Sequence, residues 1–201
     1  MKSPNGKVSR IVIAAATPVA ILAASALIWT ASNGAFSSTT RNSGNAWATG
    51  SVALTDDDAG SARFQVSGMT PGDTDSKCIT VTADTSGPGV VKGYALNPVT
   101  SPEGLEDHVF VHVDFGTGGG FSSCTGFTSE AEIIPHTSLA SLAAYNNYAN
   151  GAGGWNVSAG TQSRTYKITW SFETTGLTQS EIDQLQGSQT GIDFQWELQS
   201  D

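Results

Sequence analysis

The sequence predicts an antiparallel β-sandwich carrying one or two short helices, on three observations. Glycine, serine and threonine recur along the whole 201-residue chain, while charged residues make up only 13% of it. That mixture favours short strands and turns over helices, which prefer alanine, leucine, glutamate and lysine. Several segments alternate apolar and polar residues with a period of two, the mark of strands with one dry and one wet face. Turn residues separate these segments. The length suits one core. A formal net charge of −9 sets the chain against nucleic acid and anionic lipid as partners.

Residues 1–35 stand apart. "MKSPNGKVSR" places Lys2, Lys7 and Arg10 ahead of an uncharged run from Ile11 to Trp29, and the small residues of "TASNGA" follow. That order is the order of a secretory signal peptide, with cleavage expected near residues 31–35. The run is also long enough to span a bilayer, so an uncleaved signal is the one expected route to a membrane. Residues 36–50 are expected as an extended N-terminal segment. Phe36 and Trp47 are its only large apolar side chains, so it has little to bury.

Residues 51–201 are expected to form the sandwich. "SVAL" and "ARFQV" flank the acidic turn "TDDDAGS". "TPGDT" is a corner in which Pro71 fixes φ and Gly72 allows a positive one. In "KCITVTA", Ile79, Val81 and Ala83 share one face, and Cys78, Thr80 and Thr82 the other. "VFVHVDF" sets Val109, Val111, Val113 and Phe115 against Phe110, His112 and Asp114. "RTYKITWSFE" lines up Tyr166, Ile168, Trp170 and Phe172, and "GIDFQWELQ" lines up Ile192, Phe194, Trp196 and Leu198. Two stretches read as helices. "TSLASLAAYNNYA" carries Leu139, Leu142, Ala143 and Tyr145 at helical spacing behind a Thr137 or Ser138 cap. "TQSEIDQLQ" starts near Thr178 or Ser180 and stops at Gly187.

The chain has two cysteines, Cys78 and Cys124. In an exported protein such a pair closes a disulfide, worth roughly 4 kcal/mol for a loop of this length in the chain-entropy view. Without a CxxC spacing they make neither a zinc knuckle nor a redox motif.

The remaining chemistry is sparse. A zincin needs two histidines one helical turn apart. His108 and His112 have that interval but lie in an alternating stretch, where strand geometry separates them by about 13 Å, too far to share one zinc at ~2 Å from each. With His136, they read as polar surface groups. No G-x-S-x-G elbow supports a serine hydrolase. Asp56, Asp57 and Asp58 crowd hard oxygens and are weak calcium candidates, although an acidic hairpin turn explains them without metal. "GTGGGF" lacks the lysine of a phosphate loop and reads as a plain loop. Tyr145, Tyr148 and Trp155 resemble a sugar platform but are better explained as packing. Asn156 opens a lone "NVS" glycosylation triplet.

The succession "AFSSTTRNSGNAWATGSVALT" and "ARFQVSGMTPGDTDSKCITV" resembles the TasA/camelysin family of secreted Gram-positive proteins. Ala35-Phe36, Gly50-Ser51 and Met69-Thr70-Pro71-Gly72-Asp73 occupy the places of its alanine-phenylalanine start, glycine-led strand and L-x-PGD turn, with methionine for the usual leucine. The resemblance covers residues 11–83; beyond them it rests on layout and the closing "FQWEL". It implies a jelly-roll-like sandwich and, after TasA, biofilm-matrix fibres that grow by donation of an N-terminal strand. The expectation is therefore a secreted, non-enzymatic structural protein of the cell surface or matrix. It would associate with itself through Phe36, Ser37, Ser38, Thr39 and Thr40, need no cofactor, and have other matrix or cell-wall components as its remaining partners. The alternatives are a camelysin-like metalloendopeptidase and a carbohydrate-binding or adhesive module.

Overall fold

The computed structural model describes residues 37–40, 52–59 and 68–200. These hold nine strands: β1 (Ser37–Thr40), β2 (Val52–Asp56), β3 (Thr74–Thr85), β4 (Gly89–Val99), β5 (Val109–Thr117), β6 (Thr128–Ser138), β7 (Ala152–Val157), β8 (Gly160–Phe172) and β9 (Gly191–Ser200). Two short helices, α1 (Leu139–Leu142) and α2 (Gln179–Gln184), complete them. All strand pairings are antiparallel. A four-stranded sheet has the order β1-β9-β4-β7 and a five-stranded sheet the order β2-β3-β8-β5-β6. From β3 onward the chain crosses between sheets at every connection except the β5–β6 hairpin. That interleaving is the jelly roll, with β2 added at one edge. The signal reading of residues 1–35 and the strand expected at "ARFQV" lie outside the described residues.

The two inner faces build one core. Ile79, Val81, Ala83, Val109, Val111, Val113, Tyr166, Ile168, Trp170 and Phe172 come from the five-stranded sheet. Val91, Ala95, Trp155, Val157, Trp196 and Leu198 face them from the other. Every strand whose alternation was legible points the expected set inward, since a one-residue slip would turn that whole set to water. The Trp155 indole N–H donates to the Tyr166 hydroxyl at 3.0 Å, satisfying both polar groups between the sheets, and burial pushes the Tyr166 phenol pKa up.

The turn before β3 forms as expected. Gly72 has φ 90°, Asp73 N–H donates to the Thr70 carbonyl, and Thr70 N–H donates back to Asp73 Oδ2 at 2.8 Å. α2 also forms, with Thr178 and Glu181 in a reciprocal capping box. The helix expected from Thr137 onward is corrected to a single turn. Ser138 caps it by accepting from Ser141 N–H, but the Tyr145 carbonyl then accepts from Ala95 N–H on β4, and Asn147 Oδ1 accepts from Asn150 N–H. Both bonds divert backbone and side-chain groups from a helical ladder.

Candidate functional site

Two places gather the residues the sequence singles out. The first is the N-terminal edge. Ser37–Thr40 of the expected assembly segment form β1, paired with β9 of the same chain in the register Ser37↔Gln199, Ser38↔Leu198, Thr39↔Glu197 and Thr40↔Trp196. β1 is the outermost strand of its sheet, so among the described residues one side of its backbone has no neighbour within that sheet. Phe36 lies outside the described residues.

The second place is the outer face of β3. Cys78 and Cys124 are joined, with Cα atoms 5.3 Å apart. The disulfide expected from export is present. Cys78 is on the outward side of β3, opposite Ile79 and Val81, yet it is 0% exposed. The loop 118–127 between β5 and β6 is fastened down on it. Around the bridge, hydroxyl pairs cross from β3 to β8: Ser76 with Thr169 at 2.9 Å, Thr80 with Thr165 at 3.2 Å and Thr82 with Ser163 at 2.8 Å. Such cross-strand pairs steady a wet sheet face.

The acidic turn joins this second place. Asp57 Oδ1 accepts from Thr80 N–H at 2.8 Å, and Asp57 Oδ2 accepts from Phe121 N–H at 2.7 Å. Asp57 N–H in turn donates to the Thr80 carbonyl at 3.2 Å. Asp58 N–H donates to Asp56 Oδ1 at 3.4 Å, and Asp58 is only 2% exposed. The three aspartates weighed as calcium ligands thus include one whose two oxygens are committed to backbone amides. Among the described residues no three His, Cys, Asp or Glu side chains stand together as a metal site. The sequence carried no signal for the Phe121 contact, because its partners are 64 positions apart.

The histidines scatter. β5 begins at Val109, and His108 caps the 3₁₀ turn before it instead of lying in the strand. His112 sits on β5 with Nε2 at 3.2 Å from Asp114 Oδ2 and Nδ1 at 3.4 Å from Glu132 Oε2. His136 on β6 has Nε2 2.7 Å from Glu173 Oε1 and stacks flat on Phe110, ring centroids 4.4 Å apart. Hydrogen bonds from Ser171 and then from His136 hold the Glu173 carboxyl below the usual carboxylate range. Each imidazole with a side-chain ion pair therefore faces its own carboxylates.

The aromatic stretch is not an open platform. Trp155 is 6% exposed, on the inner face of β7, and Tyr148 donates its hydroxyl to the Val90 carbonyl at 2.9 Å. The guanidinium of Arg164 lies over the rings of both Trp155 and Phe115, an arrangement of cation against π faces at the rim of the core. Among the described residues no helix is long and apolar enough to cross a membrane. No family model matches the chain, and no curated protein matches it in sequence.

Proposed function

We propose that the chain is a secreted, non-enzymatic structural protein of the cell surface or extracellular matrix, built to associate with copies of itself. The observation that carries this reading is the attachment of β1. Four residues of sequence SSTT pair along one strand at a sheet edge. The backbone hydrogen bonds that hold β1 are the same ones any copy of β1 would make with β9, so exchange between chains conserves them. Exchange in one direction leaves a free strand at one end and an open edge at the other, and such head-to-tail contacts propagate into filaments. The resemblance to the TasA/camelysin family supports the same reading, and the disulfide fits an oxidising, extracellular setting.

The test is electron microscopy of the secreted protein beside a chain lacking residues 36–44. Filaments in the first and a folded monomer in the second are expected. Filaments that survive the deletion refute strand donation. Support for a non-enzymatic protein comes from His112, both of whose ring nitrogens lie against carboxylates, and from His136, whose Nε2 pairs with Glu173. Purified protein is expected to leave casein intact, with and without a chelator. Digestion that disappears when His108 and His112 are replaced together would make the protein a peptidase instead.

A further inference from the structure

We infer that Asp57 is a positioning residue for the Cys78–Cys124 bond: it holds the loop 118–127 against β3, so that the two sulfurs stay opposite each other even when reduced. Four observations converge. The Asp57 carboxylate accepts from the backbone of β3 at Thr80 and from the loop at Phe121, at 2.8 and 2.7 Å. Thr80 is two residues from Cys78 on the same outward side, and Phe121 is three residues from Cys124. Between Phe121 and Cys124 the chain is stiff, because Gly120 and Ser123 exchange backbone hydrogen bonds at 2.9 and 3.1 Å. Finally, a Cβ at Gly120 would stand 2.8 Å from Asp57 Oδ2, so the loop approaches the carboxylate as closely as only glycine permits.

An ionised carboxylate accepting from two amides makes charge-assisted bonds, about twice as strong as neutral ones. Neither bond involves sulfur, so both survive reduction. The oxidation they serve needs a disulfide-bearing oxidant. The half-buried Cys124 is the sulfur such an oxidant reaches; its thiolate attacks, and one oxidant thiol leaves. The fully buried Cys78, as thiolate, then attacks the mixed disulfide at Cys124 and expels the second thiol. Two electrons pass from the cysteine pair to the oxidant's S–S bond, and the two cysteine protons are released to solvent or to the departing thiols. The second step is intramolecular, and its rate follows the fraction of time Cys124 spends over Cys78.

The test uses the full chain, reduced with dithiothreitol and re-oxidised with oxidised glutathione. Aliquots are trapped by alkylation and weighed by mass spectrometry to follow closure of the mixed disulfide. Asp57→Asn keeps the side-chain volume and the Thr80 bond but turns the carboxamide NH2 toward Phe121 N–H, so closure should slow at least about tenfold, the lower end of the effect of losing one hydrogen bond to a charged group. Asp84→Asn, at an exposed aspartate of β3, should close at the wild-type rate. Amide exchange supplies a second reading: the Phe121 N–H should remain protected in reduced wild type and lose protection in reduced Asp57→Asn. Equal closure rates in two folded chains overturn the inference. So does an unprotected Phe121 amide in reduced wild type, which decides the matter by itself if the variant does not fold when reduced.

Discussion

Two segments of this molecule face the same difficulty and meet it differently. β1 and the loop 118–127 are both rich in small residues, SSTT in the first and seven of glycine, serine and threonine in the second. β1 is attached by backbone pairing to one neighbour, β9. The loop is attached by a disulfide to Cys78 and by a carboxylate clamp to Asp57. Backbone pairing is generic, since any strand of suitable length satisfies it. A covalent bond and a carboxylate fixed between two amides are specific to their partners. An attachment of the first kind lends itself to exchange between copies, and one of the second kind keeps a segment in its own chain.

Removing the strong attachment should have the largest effect. Replacing Cys78 and Cys124 together by alanine is expected to lower stability by about 4 kcal/mol, because the unfolded chain regains the freedom of a long loop. For a chain of this size that is a fall in melting temperature of roughly 10 °C. The sandwich itself should persist, since its core does not include the bridge. Thermal unfolding followed by circular dichroism checks both points, and an unchanged melting temperature would mean that the clamp alone secures the loop.

Converting the weak attachment into the strong kind is the reciprocal experiment. Ser37 and Gln199 are register partners, and directly opposed strand residues have Cα atoms about 4.5–5.5 Å apart, within the range of a disulfide. Ser37→Cys with Gln199→Cys should therefore tie β1 to its own β9. The gain in stability should stay below the loss from the native bridge, about 1–3 kcal/mol, because engineered bridges carry some strain. The sharper readout is assembly. Quantitatively cross-linked protein should form no filaments under conditions where the reduced double variant does. Filaments from the cross-linked chain would show that β1 exchange is not how copies join.

The same contrast explains what the sequence made legible. β3, β5, β8 and β9 were readable because each buries one face, and Ile79, Val111, Ile168 and Leu198 fall at the required alternate positions. The capping box of α2 and the Pro71-Gly72 turn were readable because their partners lie within three residues. β4, β6 and β7 were not. β7 reads AGGWNV, with two glycines that obscure the period. β4 includes Gly93 and Pro98, and its register shifts twice, once against each neighbour. β6 is a sheet edge with Glu130, Glu132 and Pro135, residues expected where one side of a strand meets water. At the candidate sites, the disulfide followed from cysteine number and the expectation of export. The role of Asp57 depended on a loop far along the chain, so three adjacent aspartates could be read only as a generic cluster of oxygens.

β6 stands between the two extremes, and it yields the smallest predicted effect. Its pairing with β5 is irregular, with three shifts of register, and side-chain pairs supplement it. His136 of β6 meets Glu173, which also accepts from Ser171 Oγ at 2.7 Å. These bonds favour the ionised carboxylate and lower its pKa in the folded chain. A carboxyl with a folded-state pKa below its unfolded value adds stability that is fully present above the unfolded value, about 4.3 for glutamate. That stability is lost as pH falls through the lower, folded value. Glu173→Gln should therefore unfold slightly more easily than wild type at neutral pH, and the difference should vanish in acid. Both groups are well exposed, with side chains 52% and 39% accessible, so the difference should stay within about 1 kcal/mol. Its local signature should be clearer than its global one. Amides of β6 near His136 should exchange faster in Glu173→Gln at neutral pH, with those of β4 and β9 unchanged. Uniform exchange across both sheets would assign the effect to the whole fold, and then side-chain pairing would add nothing to how β6 is held.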